Sequence, residues 1–479
     1  MKLLSMWDDL VVPEDLVYFR SPVSRDRLVA NPELASWCLL TEEEAEVLSA
    51  LASPGRSGAG RQRTSHASTV ERVLAKLILK WLVYLPGRKP KVIAPDPRLS
   101  MVYYAITDGC NLRCPYCYAS SEKRLPGELS TNESLALVDQ IADMGVRLLI
   151  FTGGEPMLRK DLFEVAEYAR VRGLTLNIIT NGTMIRKSEI ARRIADLFQT
   201  VTVSMDGGTA ALHERIRGKG TFARTTRALK LLNEAGVTPV INHVITEENV
   251  EHLDKMAEFV STFRVQRVRT MYHSNLGRAT TDSFDFGWHH FQQIQEFIWT
   301  HPEADKLLPD GPKASKPCSI KGNCGMGGTE IYVDSLGDVY PCKLVTATDQ
   351  RAGNIRTQRL TEIFDSPLLV DLRANSVFEG ENLKDCRHCY IRGACGGGCR
   401  GYHMAETGDI HRNGRHLCRT LRHSMVTNWW LAAGATRAQL HAFQDEMMHP
   451  RLVRNDSTHS AYEDWRTAGR LRLPLVGVS

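Results

Sequence analysis

No stretch of the 479-residue chain is long and apolar enough to cross a bilayer. The most apolar run, Val73 to Leu85, is short and interrupted by Lys76 and Lys80. A secretory signal is equally absent, because Asp8, Asp9 and Glu14 break any apolar stretch near the start. There is no dense basic block either. Lys and Arg number 60 against 55 Asp and Glu, a net charge of +5, which argues against a nucleic-acid partner. These absences predict a cytoplasmic protein with no membrane and no nucleic-acid role. Hydrophobic content of 43% and charged content of 24% are those of an ordinary globular chain, long enough for about two to four domains. Cysteine is not scarce. Twelve cysteines in a cytoplasmic chain point away from disulfides and toward metal binding.

Three of them stand together in the run Cys110-Asn111-Leu112-Arg113-Cys114-Pro115-Tyr116-Cys117. Three thiolates on one loop can hold three irons of a [4Fe–4S] cube, which leaves the fourth iron open to a ligand. Structural zinc is the alternative. It normally pairs one CxxC with another or with histidines, and this triplet has no local fourth ligand. The CxxxCxxC spacing resembles the signature of the radical S-adenosylmethionine (SAM) enzymes. That resemblance implies SAM bound to the open iron, reductive cleavage to a 5′-deoxyadenosyl radical, and a cofactor contact for Tyr116.

From about 100 to 271 short apolar runs alternate with amphipathic stretches. Strands are predicted at Val102–Ile106, Arg147–Phe151, Leu174–Ile179, Thr200–Ser204, Pro239–Val244 and Gln266–Met271. Helical spacing lies between them, as in Leu135, Val138 and Ala142. Six such repeats imply parallel strands with right-handed crossovers, a partial (β/α)6 TIM-type barrel of α/β class. The polar motifs then fall at the C-terminal strand ends, where barrel enzymes build their sites. The cysteine loop follows the first strand, Gly153-Gly154-Glu155-Pro156 the second and Asn181-Gly182 the third, while Ser204 and Asp206 close the fourth. By the resemblance, Gly153, Gly154 and Glu155 contact the methionine amino group, and Asn181, Ser204 and Asp206 lie near the ribose and carboxylate. Strand-end turn chemistry suits the last three equally well. Arg217, in His213-Glu214-Arg215-Ile216-Arg217-Gly218, either pairs with a carboxylate or is a solvated helix-edge residue.

Eight more cysteines follow. Cys318, Cys324 and Cys342 come first, then Cys386, Cys389, Cys395 and Cys399 in the spacing CxxCxxxxxCxxxC, then Cys418. Eight thiols suffice for two four-cysteine sites, and zinc is a stronger competitor here than at the first loop. The pattern resembles the SPASM domain of radical SAM maturases. The resemblance implies two auxiliary [4Fe–4S] clusters, one on Cys318, Cys324, Cys342 and Cys399, the other on Cys386, Cys389, Cys395 and Cys418. Full ligation makes them electron carriers or structural centres rather than substrate sites. The run Gly396-Gly397-Gly398 suits a loop whose amides reach cluster sulfurs. Cys38 reads as a core residue.

The first hundred residues form something separate. Leu16–Phe19 and Arg27–Ala30 read as strands, Thr41 with Glu44 as a capping box for a helix to about Leu51, and Ser68 with Glu71 as the start of a second helix. Residues 53 to 66 read as a flexible insert. The sum is a winged-helix-like module that weakly resembles the leader-peptide recognition elements of peptide maturases. A buttress for the barrel is the alternative. Helix is expected after Cys418, with Trp429 and Trp430 as packing residues before a stop at Gly434, then a charged, partly disordered tail from Arg451. The expected division is 1–95 for the recognition module, 96–310 for the barrel, 311–425 for the SPASM domain and 426–479 for a helical extension.

The reading that unites these motifs is a radical SAM/SPASM maturase of a ribosomally made, leader-bearing precursor peptide, acting by oxidative cross-linking. Its cofactors are SAM and three [4Fe–4S] clusters, and a reductase such as flavodoxin or ferredoxin supplies electrons. The rivals are an enzyme acting on a folded protein side chain, as sulfatase maturases do, or on a tetrapyrrole, and a zinc-stabilised binding protein without catalysis.

Overall fold

A computed structural model describes residues 3–53, 67–90, 98–281, 287–307, 320–378 and 383–460. Near its start, β1 (Val17–Arg20), β2 (Arg27–Asn31) and β3 (Ser36–Leu40) form an antiparallel meander. The third strand escaped the sequence reading because Ser36-Trp37-Cys38-Leu39-Leu40 shows no polar alternation. The packing explains why: both faces of this sheet are covered. Tyr18, Val29, Cys38 and Leu40 share one core with Leu48, Leu51, Val73 and Leu77 of the helices Glu42–Ala52 and Ala67–Leu79. On the opposite face Val17, Phe19, Leu28 and Ala30 pack against Tyr390, Trp429 and Trp430. Burial pushes the Cys38 thiol up to about 11, as befits a core residue.

The Thr41 capping box forms as expected, with Glu44 N–H donating to Thr41 Oγ1 at 3.3 Å and Thr41 N–H to Glu44 at 3.1 Å. Ser68 is not a cap, because the second helix already includes Ala67. The insert at 54–66 lies outside the described residues. The expected disorder from Arg451 is corrected for the first ten residues. Strand β13 (Arg451–Leu452) pairs with Val17 and Tyr18, giving the sheet the order β13-β1-β2-β3. Val453 N–H donates to Leu16 O at 2.9 Å, and Arg454 to Val12 O at 2.8 Å.

The barrel strands stand within a residue of their expected places: β4 (Met101–Ala105), β5 (Leu148–Thr152), β6 (Thr175–Thr180), β7 (Thr200–Ser204), β8 (Val240–Ile245) and β9 (Arg267–Tyr272). All are parallel and in chain order. A seventh parallel strand, β10 (Glu330–Val333), comes from the cysteine-rich region and pairs with β4, followed by antiparallel β11 (Asp338–Tyr340) and β12 (Gly353–Asn354). The second-half domain thus extends the barrel sheet. Helix Thr131–Asp143 buries Leu137, Val138 and Ile141, with Leu135 and Ala142 at the flanks, so its inward face is turned from the expected one. Helix Arg415–Ala432 carries Cys418 at its start and buries both tryptophans; Gly434 follows at φ +96°.

The N-terminal module docks on the cysteine-rich domain where Gly393 N–H donates to Pro32 O at 2.8 Å. A Cβ at Gly393 would stand 2.6 Å from both Pro32 O and Glu33 O. Gly393→Val is therefore expected to wedge the two units apart and cost ~1–3 kcal/mol, the usual scale of overpacking. Urea unfolding of the variant checks this, and an unchanged midpoint would mean the contact carries no stability.

Candidate active site and auxiliary sites

The cysteine loop begins five residues after β4 and is held from three directions. From below, the buried Glu128 carboxylate accepts Asp108 N–H at 2.7 Å, Thr107 Oγ1 at 2.9 Å, Arg124 Nε at 3.0 Å and Leu125 N–H at 3.2 Å. From the side, Gly154 N–H donates to Thr107 O at 2.9 Å and Glu155 N–H to Gly109 O at 2.8 Å. A Cβ on Gly153, at φ +133°, would lie 2.2 Å from Thr107 O, and one on Gly154 2.3 Å from Gly109 O. The paired glycines are thus required by close backbone contact with the cysteine loop. From above, the turn after β9 contributes Arg278, which donates to Cys114 O at 2.7 Å and Ser121 O at 2.8 Å, and through its N–H to Cys117 O at 3.0 Å. Gly277 beside it would put a Cβ 2.2 Å from Tyr118 O. Sequence reasoning missed Glu128, Gly277 and Arg278. The last two could have been found by extending the strand-end rule to the sixth strand.

The three thiols are half-buried. Burial raises Cys110 to about 11 and also raises Cys114. A metal ligand must be a thiolate, so iron would have to offset that cost and would displace protons on binding.

Around the loop the expected contact residues fall into two networks. Glu155 is fully buried and accepts Thr180 Oγ1 at 2.6 Å, Asn181 N–H at 2.7 Å and Met157 N–H at 3.1 Å. Desolvation raises its pKa against the pull of these donors. Asn181 Nδ2 donates to Asn111 Oδ1 at 3.0 Å, and Asn111 Nδ2 to Thr183 Oγ1 at 2.8 Å, which ties β6 to the cysteine loop. In the second network, Arg217 Nε and the Tyr116 hydroxyl both donate to Asp206, which also accepts Val244 N–H at 2.9 Å. Burial pushes the Asp206 pKa up, but Arg217 prevails and holds it below the usual carboxylate value. Arg217 is 8% exposed and so is not a solvated helix-edge residue. Ser204 is half-buried at the end of β7, in register with Asn242. Two further acceptors face away from the outer core: Asn177 Oδ1 and Asn242 Oδ1 are buried without a partner among the described residues. Such orphan acceptors fit a polar cofactor or substrate in the barrel.

The described second-half cysteines gather around one cavity and the chain beside it. Cys318 lies outside the described residues. Cys324, Cys342, Cys395 and Cys399 line one cavity of about 1110 Å³ together with Glu330 and Arg400. Burial raises the Cys342 and Cys399 thiols, and the Glu330 carboxylate raises each further, whereas Cys324 is exposed to the cavity. Nearby, Cys386, Cys389 and Cys395 are close enough to Cys418 to act on its charge. Burial pushes Cys395 up to about 12, opposed by the amides of Gly398 and Gly397. Those glycines and Gly396 stand at φ +67° to +82°, a left-handed run that side chains would oppose. Asn413 Nδ2 donates to Cys386 Sγ at 3.1 Å. Arg400 Nε and Nη1, by contrast, are buried with no acceptor among the described residues. Grouped thiols with amide donors around them and spare guanidinium donors fit iron–sulfur clusters, whose sulfurs accept hydrogen bonds.

Comparison with known proteins agrees. Residues 104–260 match the family model of the radical SAM superfamily, and 324–390 that of SPASM, an iron-sulfur cluster-binding domain. The mycofactocin maturase MftC of Mycobacterium tuberculosis is 33% identical over 312 residues, covering 62% of this chain and 77% of that protein. The AdoMet-dependent heme synthase of Methanosarcina barkeri is 29% identical over 339 residues, covering 65% and 94%. In fold, the chain is similar to SuiB of Streptococcus suis, crystallised with its precursor peptide SuiA. The TM-score is 0.52 at 18% identity, over 85% of this chain and 99% of that one. A zinc-stabilised scaffold is thereby set aside. The thiol triplet above a parallel half-barrel and the cysteine-rich domain that extends its sheet have one common explanation: this chain belongs to the radical SAM superfamily, as an enzyme with a C-terminal SPASM domain.

Proposed function

We propose that this enzyme is a maturase of a ribosomally made precursor peptide and forms an oxidative cross-link in it. The observation that carries the peptide reading is the N-terminal sheet. Strand β13 closes one edge, while β3 pairs only with β2 among the described residues. An open edge of this kind can take an extended leader segment as an added strand. The Leu39 carbonyl on that edge is held by Lys76 Nζ at 2.9 Å, a bond a leader strand would replace. The module, assigned to 1–95 with winged-helix character, sits directly on the SPASM domain, assigned to 311–425, so a leader bound there is tethered beside the barrel of 96–310. Residues 426–479 form the C-terminal extension.

In this reading Cys110, Cys114 and Cys117 hold the SAM-binding cluster. With SAM bound, that cluster supplies the one-electron reduction and the hydrogen-abstracting radical. Gly153, Gly154 and Glu155 shape the methionine end of the SAM site. Tyr116, Asn181, Ser204 and Asp206 complete it, with Arg217 neutralising Asp206. Cys318, Cys324, Cys342 and Cys399 hold one auxiliary cluster and Cys386, Cys389, Cys395 and Cys418 the other, three clusters in all. The peptide would lose two hydrogens in all as the new bond closes, one as an atom and one as a proton to solvent with an electron, and the clusters on these eight cysteines would supply the electron acceptor. A flavodoxin- or ferredoxin-type reductase would supply the electron for the cluster on Cys110, Cys114 and Cys117.

The likeness to heme synthase favours a second reading, in which the substrate is a tetrapyrrole. The open β3 edge would then have no part in turnover.

Anaerobic co-expression with short reading frames that flank the gene should yield a peptide lighter by about 2 Da, one bond gained for two hydrogens lost. No mass change and no deuterium uptake in any peptide, despite full iron loading and SAM cleavage, would transfer the case to the tetrapyrrole. Replacing Cys110, Cys114 and Cys117 together by alanine should remove about one third of roughly twelve irons and all SAM cleavage. Persistent cleavage would refute the assignment of that loop. Leu39→Pro removes an N–H on the same outer edge as the Leu39 carbonyl, leaving the β2 ladder intact. It should weaken leader binding roughly tenfold, the ~1.4 kcal/mol scale of a lost hydrogen bond. Unaltered leader affinity by calorimetry would mean the leader binds elsewhere.

A further inference from the structure

Arg400 follows Cys399 directly and is 6% exposed. Its main-chain N–H donates to Cys324 Sγ, a thiol of the first auxiliary group. Its Nη2 donates to Asn413 Oδ1 at 2.6 Å, and Asn413 Nδ2 donates in turn to Cys386 Sγ at 3.1 Å, a thiol of the second group. One residue therefore reaches a cysteine of each. The remaining donors, Nε and Nη1, are buried and have no acceptor among the described residues, and the side chain lines the cavity of Cys324, Cys342 and Cys399.

A guanidinium carries a fixed positive charge, and burying one without a carboxylate is costly. No carboxylate pairs with Arg400 among the described residues. The nearest compensation on offer is a cluster of four thiolates, which is anionic and gains a further negative charge on reduction. Other charges face this space as well, among them Arg422, which bonds Cys389 and acts on Cys418 in the second group only. Glu330 and Lys343 act with contrary signs on Cys342 and Cys399, whereas Asp385 and Arg400 do so on Cys386. Arg400 alone among these groups contacts both sides.

We propose that Arg400 is a positioning residue shared by the two auxiliary clusters, whose charge and donors favour the reduced form of both and couple one to the other. The inference rests on the assignment of eight cysteines to two clusters. It implies that the pair accepts an electron from the substrate as a unit, with the charge free to settle on either member.

The test is a potentiometric titration of the anaerobically purified full-length protein, followed by electron paramagnetic resonance with iron counted in parallel. In Arg400→Met both auxiliary signals should need a more negative potential. At the poise where the native clusters are half reduced, their reduced-to-oxidised ratio should fall about tenfold, ~59 mV for a one-electron couple. The SAM-binding cluster, recognised by its spectral change on adding SAM, should not move. Arg400→Lys should recover most of the shift. Asn413→Ala should move only one auxiliary signal, because it cuts only the relay to Cys386. Should Arg400→Met lose iron, that single-signal shift in Asn413→Ala still supports the proposal, and its absence overturns it. Two auxiliary signals that ignore Arg400→Met at full iron content overturn the inference alone. A native protein with one auxiliary signal overturns the two-cluster assignment beneath it.

Discussion

The chemistry assigned to this enzyme depends on the grip that three separate turns keep on one stretch of backbone. Residues 107 to 118 contain no regular helix or strand, so the loop cannot hold three thiols in place by itself. Glu128 gathers its base, the Gly153–Glu155 segment lies against its flank, and Arg278 ties down its far end. Apart from the Thr107 hydroxyl on Glu128, these contacts reach the loop through main-chain atoms, which leaves the cysteine side chains to the metal. A cluster ligand on a mobile loop would spend binding energy on ordering the loop. Here the ordering is done by two strand-end turns and by Glu128, in the segment that leads into helix Thr131–Asp143.

The same turns explain why the polar residues near the loop are so thoroughly engaged with one another. Glu155 and Asp206 are both fully buried carboxylates, yet their surroundings treat them differently. Glu155 is held by neutral donors, and desolvation dominates its titration. Asp206 has a guanidinium against it, and the charge of Arg217 dominates instead. The protein thereby places a neutralised ion pair beside Cys114 and an acceptor-rich carboxylate beside Cys110. Two sides of one metal loop meet different electrostatic environments, set by residues from different strands.

Much of this was legible in the sequence. Apolar runs of five or six residues, each followed by an amphipathic stretch, located six barrel strands to within one residue, because parallel strands buried on a face read as continuous hydrophobic runs. Cysteine spacing points to the thiols for a similar reason: groups that act together sit close along the chain or on rigid elements. Other features left no local signal. Strand β3 is covered on both faces, so its residues do not alternate, and β10 is only four residues long. Strand β13 consists of two residues in a charged segment, visible only through its partner. For Arg217 the sequence leaves a carboxylate partner and solvent equally open, because nothing in its own helix shows that Asp206 and Tyr116 converge on it. Arg278 holds the loop through backbone carbonyls, so only its place after the sixth strand, and no residue spacing, points to it.

The pairing of β13 with β1 has a consequence for how the molecule is built. Arg20 and Asp456, which join across that edge, stand 436 positions apart in the chain. Contacts of such separation form late, since the intervening loop must close before the bond can repay it. Until Arg451–Leu452 docks, the N-terminal sheet has a bare β1 edge. During that interval it offers two templates for strand addition rather than one, and only closure by the distant segment leaves a single way for an extended chain to dock.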